Sequence, residues 1–66
     1  METLGDAFPK EQARVREILG YYQALGPAGA FGAGWIQELL RLADRAALEQ
    51  DTVAMLALYP QLKAVE

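Results

Sequence analysis

The side chains able to do chemistry in this 66-residue chain are few. There are nine carboxylates, six cations, three tyrosines and one tryptophan, but no histidine, cysteine, serine or asparagine. A Ser-His-Asp triad, a Cys-His dyad and a His- or Cys-ligated zinc site are therefore all excluded. The lack of cysteine also rules out disulfides and fits a reducing cytosol. The closest carboxylate sets are Glu11 with Glu17, Glu38 with Asp44, and Glu49 with Asp51. A general acid needs a carboxyl whose pKa is raised by burial, and none of these falls on an apolar stripe. No pair takes an inward (i, i+3) or (i, i+4) position that would hold a divalent metal. The expectation is a protein that is not an enzyme and carries no cofactor and no metal.

The run Gly26 to Gly34, GPAGAFGAG, invites a phosphate-loop reading. Such a loop requires a Lys followed by Ser or Thr, whereas Trp35, Ile36, Gln37 and Glu38 follow here. A weaker version remains, in which the start of the second helix offers free amides to an anionic nucleotide. Gly29 and Gly32 would let it approach, Phe31 or Trp35 would stack its base, and Arg14 or Arg16 of a neighbouring chain would meet its phosphate. Nucleic acid is not expected as a partner: the net charge is −3, the pI is near 4.7, and duplex binding rests on neutralising phosphates. The only basic face is Lys10, Arg14 and Arg16.

The elements that would position these groups are all helical. Pro9 suits a first helical residue, and Val15, Ile18, Leu19, Tyr22 and Leu25 follow at helical spacing. Gly26-Pro27 stops that helix, glycine taking the left-handed position after its end, so the spacing predicts helix one over Pro9–Leu25. For the glycine run, either a loop persists to about Gly32, or helix two begins near Pro27 and close packing compensates its glycines. Beyond it Trp35, Ile36, Leu39, Leu40, Leu42, Ala43, Ala46 and Ala47 form an apolar arc wide enough to touch two helices. Asp51 reads as an N-cap. Met55, Leu58, Tyr59, Leu62 and Val65 form a last stripe, which Pro60 interrupts. Helix three is expected over Thr52–Tyr59, with a kink after it. The fold class is thus all-α, one small domain over residues 1–66: a hairpin of two long helices plus a short third helix.

A chain this short has a thin core, and self-association is a common remedy. The expected partners are a second copy, as homodimer or higher oligomer, and another protein. Candidate interface residues are the small residues Ala13, Gly20 and Ala24 on the far side of helix one, the flanking Tyr21, and Trp35, Leu39, Leu62 and Val65. No membrane association is expected. The longest uncharged apolar and glycine run, Ala24 to Ile36, is shorter than the roughly 20 residues of a span and contains Pro27. Met1 to Lys10 carries Glu2 and Asp6, unlike a basic signal-peptide start, so the cytoplasm is the expected location.

Two runs, Phe8-Pro9-Lys10-Glu11-Gln12-Ala13 and Gly26-Pro27-Ala28-Gly29-Ala30-Phe31-Gly32-Ala33, together with the later ADRAALEQDTVAML, carry a resemblance over nearly the whole chain. The sequence resembles a family of short proteins encoded by bacteriophages and prophages of proteobacteria. That resemblance implies a setting, a small accessory protein made during infection or lysogeny. It also implies action by binding, for example on a host defence or regulatory protein. It brings over no functional residues.

Overall fold

The computed structural model describes residues 1–66 and is 85% helical, with three helices and no strands. Helix α1 spans Leu4–Ala24, a 3₁₀ turn covers Gly26–Gly29, α2 spans Ala30–Leu48 and α3 spans Thr52–Lys63. No helix is long and apolar enough to cross a membrane. The all-α hairpin with a shorter third helix is as the periodicity predicts; three of its boundaries differ.

Helix α1 starts five residues before Pro9. Thr3 is the N-cap: its hydroxyl oxygen accepts from the Asp6 amide at 3.3 Å, and the Asp6 carboxylate accepts from the Thr3 amide at 3.3 Å. This reciprocal pair satisfies two amides that otherwise lack partners. The earlier start brings Phe8 fully inside the core. Pro9 therefore lies within the helix rather than at its first position. Helix α3 likewise runs through Pro60 to Lys63 instead of stopping at Tyr59. A proline removes the bond to the carbonyl four residues earlier, here Gly5 and Leu56. Gly5, Pro9, Leu56 and Pro60 are all exposed, so water reaches both freed carbonyls and the two helices continue.

The core joins all three helices. Phe8 and Val15 of α1 meet Ile36, Leu39, Leu40, Ala43 and Ala46 of α2, and Leu58, Leu62 and Val65 close it from the α3 side. Ile18, Leu19, Tyr22 and Met55 pack against its edge. Leu25, assigned to the stripe by spacing, instead caps the end of α1 and is exposed. On the outside, Asp44 of α2 accepts from Gln12 at 2.9 Å and Arg16 at 2.6 Å, tying α1 to α2.

The two connections obey opposite glycine logic. Between α1 and α2, Gly26 takes a left-handed φ of 65°, as expected after a helix end. The glycines beyond it serve close packing. A Cβ on Gly29 would lie 2.1 Å from the Tyr22 carbonyl oxygen, and one on Gly32 would lie 3.1 Å from the Tyr22 ring. Between α2 and α3 the left-handed residue is Gln50, with φ 53°. Its amide bonds to Ala47 at 3.2 Å and the Asp51 amide to Ala46 at 2.9 Å, which closes α2 in two crossed bonds. Asp51 then caps α3, accepting from the Ala54 amide at 3.1 Å.

Exchanging these residues should move stability in opposite directions. Gly29→Ala forces a methyl into backbone and should cost about 1–3 kcal/mol, as overpacking does. Gln50→Gly relieves a left-handed side chain and should add about 1 kcal/mol. Thermal melts of the two variants check both; a silent Gly29→Ala would refute the close-packing role.

Candidate protein-binding site

Almost every charged side chain has a partner within the chain. Five of the six cations are ion-paired: Lys10 with Glu2, Arg14 with Glu11, Arg16 with Asp44, Arg41 with Glu38, and Arg45 with Glu49. The sixth, Lys63, lies 5.4 Å from the centre of the Tyr59 ring. Asp6 and Asp51 cap helices, and Glu17 accepts from the Tyr21 hydroxyl at 3.0 Å. That hydrogen bond holds the phenol proton and raises the Tyr21 pKa; the Arg41 guanidinium lowers that of Glu38. No three carboxylates gather where an ion would sit, and no buried polar side-chain atom lacks a partner.

Arg14 has the longest reach. Its Nη2 donates to the Leu62 carbonyl at 2.7 Å, its Nη1 to Val65 at 2.8 Å, and its Nε to Glu11 at 2.6 Å. These carbonyls lie at and just past the end of α3, where a cation also offsets the negative pole of the helix; the Leu62 oxygen accepts from the Val65 amide at 3.2 Å as well. The guanidinium fork thus caps α3 from α1.

The residues of the nucleotide constellation are placed as follows. Arg14 is bonded to the end of α3 and the exposed Arg16 is paired with Asp44. Gly29 is buried beneath the Tyr22 carbonyl and Gly32 lies against the Tyr22 ring. Phe31 and Trp35 remain exposed. The basic face of Lys10, Arg14 and Arg16 is likewise neutralised by Glu2, Glu11 and Asp44.

The interface set divides too. Leu39, Leu62 and Val65 are 4%, 0% and 3% exposed and belong to the chain's own core. A partner cannot reach them on the folded chain, which corrects their assignment: Pro60 does not redirect α3, so its stripe stays on α1 and α2. Ala13, Gly20 and Ala24 lie on the open side of α1, where a Cβ at Gly20 would meet nothing within 4 Å. Tyr21 and Trp35 are on the surface.

Four exposed apolar side chains flank the α1–α2 turn. Tyr21 and Leu25 lie one turn apart on α1, Phe31 and Trp35 one turn apart on α2, and the short 3₁₀ turn joins the pairs. Their exposures are 63%, 60%, 91% and 53%. Between them Tyr22 is half-buried, its ring on Gly32 and its hydroxyl donating to the Glu66 carbonyl at 2.9 Å. The close fit at Gly29 and Gly32 sets the turn and the start of α2 against Tyr22. Leu25 and Phe31 were missed as a joint surface because one was read as core and the other as a stacking group. Elsewhere an open cleft of about 490 Å³ lies between α2 and α3, lined by Leu42, Arg45, Glu49, Ala54 and Ala57. Its polar groups already bond one another or cap α3.

The role of Arg14 is testable. Arg14→Met should destabilise the chain by about 1–3 kcal/mol, the usual worth of bonds from a charged donor, and should speed amide exchange selectively in residues 61–65. Arg14→Lys should recover only part, since an ammonium lacks the planar fork. Unchanged exchange at that end would refute the cap.

In comparisons with known protein families, curated proteins and solved structures, the chain shows no significant match.

Proposed function

We propose that this chain is a non-enzymatic binding protein that docks its α1–α2 end onto another protein. The observation that carries the reading is the exposure of Tyr21, Leu25, Phe31 and Trp35 on either side of the turn. Tyr and Trp are enriched among the few residues that carry most of the binding energy in protein interfaces. The resemblance to phage- and prophage-encoded proteins gives the setting: an accessory protein in the bacterial cytoplasm, acting on a host defence or regulatory protein or on a phage protein. No observation favours the nucleotide reading over this one, because the arginines it needs are engaged elsewhere.

A photoreactive benzophenone side chain at position 31, expressed in a proteobacterial host, should cross-link to a protein of different mass from the chain itself. Trp35 is the sole tryptophan and reports on the contact directly. Its emission should shift to the blue when the purified partner is added, and Trp35→Ala should weaken binding about thirtyfold, a hot-spot loss of about 2 kcal/mol. Adducts containing only a second copy of the chain would sink the proposal. So would a melting temperature raised by a nucleotide, which at 100 times its Kd should add about 2.7 kcal/mol.

A further inference from the structure

The charges of this chain do not cancel evenly over its surface. Five of the nine carboxylates pair with a cation. Asp6 and Asp51 cap α1 and α3, where the positive pole of each helix offsets them. Two carboxylates remain, Glu17 and Glu66; both are exposed and neither joins an ion pair. Both lie beside the α1–α2 end. Glu17 accepts from the Tyr21 hydroxyl at 3.0 Å, and the Glu66 carbonyl accepts from the Tyr22 hydroxyl at 2.9 Å.

No cation of the chain compensates them. From Ile18 to Gln37 there is no charge of either sign, and the last turn of α1 carries no basic residue. Arg16 and Arg41, which flank that run, are paired with Asp44 and Glu38. Arg14 reaches the Val65 carbonyl but is paired with Glu11. Lys63 lies over the Tyr59 ring. The negative pole of α1 and the positive pole of α2 meet at the turn and offset each other. Side chains therefore set the sign of the field there, and it is negative.

We propose that the protein docked at the α1–α2 end presents lysine or arginine beside its apolar contact, with one cation meeting Glu17 next to Tyr21. This rests on the protein-docking reading above and adds the charge of the partner. Tyr21 occupies one oxygen of the Glu17 carboxylate, and an ionised carboxylate accepts further bonds. Charges at the rim of an apolar contact act mainly on the encounter rate and on the choice of partner. An acidic partner would set like charges together at this rim. So would a second copy docked through the same end, since a two-fold contact sets one patch against itself.

The probe is the protein that cross-links to benzophenone at position 31, purified, with its association followed by Trp35 emission. Raising sodium chloride from about 50 to about 500 mM should slow association about tenfold and change dissociation little. Glu17→Gln, which keeps an acceptor for Tyr21, should slow it about threefold at low salt and flatten the salt dependence. Glu2→Gln removes the same charge at the opposite end of α1 and should leave the rate unchanged. A different protein cross-linked at position 31 whose association ignores salt and Glu17→Gln would overturn this inference and leave the docking reading standing. Equal effects of Glu17→Gln and Glu2→Gln would overturn it as well, since net charge alone would then explain them. If position 31 captures no other protein, both fall.

Discussion

Arg14 bonding to the carbonyls of Leu62 and Val65 is the contact on which the arrangement of three helices depends. The end of α3 lies beside α1, with Leu62 and Val65 in the core. One guanidinium bonds the carbonyls of both and Glu11 together. With these bonds made, Leu62 is wholly buried and Val65 nearly so, and the last turn of α3 packs against a surface rather than fraying. The same anchoring explains why Pro60 leaves α3 unbroken. The lost bond falls on the solvent side, while the packed side of the helix is held from beyond the proline.

The α1–α2 end shows the opposite device, contact achieved by removing atoms. Gly29 and Gly32 bring the backbone of the turn and of α2 against Tyr22 with no side chain between. Glycine in the opening turn of a helix costs about 1 kcal/mol against alanine, and here the close fit offsets it. Tyr21, Leu25, Phe31 and Trp35 flank this contact. All four are exposed beside this close fit.

Most of the charges are paired along α1 and α2. Pairs such as Glu38 with Arg41 and Arg45 with Glu49 lie along α2, and Asp44 ties α2 to α1. Exposed pairs of this kind add little stability each, but they satisfy the cations locally and leave no concentrated positive field for phosphates. Between Asp51 and Lys63, α3 presents only apolar and neutral groups. The result is a charged coat over α1 and α2 beside two bare regions, one aromatic and one aliphatic.

Helical spacing alone determined the all-α fold, the core positions Val15, Ile36, Leu40 and Leu58, the left-handed Gly26 and the cap at Asp51, because each depends on residues within a turn or two along the chain. The start at Leu4 was also local, but its signal was a Thr-x-x-Asp spacing, easily overshadowed by Pro9. What only the tertiary structure decided involves partners far apart in sequence. Arg14 reaches carbonyls 48 and 51 residues away, and no periodicity marks a cation as the cap of another helix. Whether Leu62 and Val65 face the core or a neighbour turned on the course of α3 past Pro60, which the packing of its far end settles. The aromatic end arose in the same way. Spacing groups Leu25 with a buried stripe, yet the turn at Gly26 ends the helix there, and the close approach at Gly29 leaves that side chain outside.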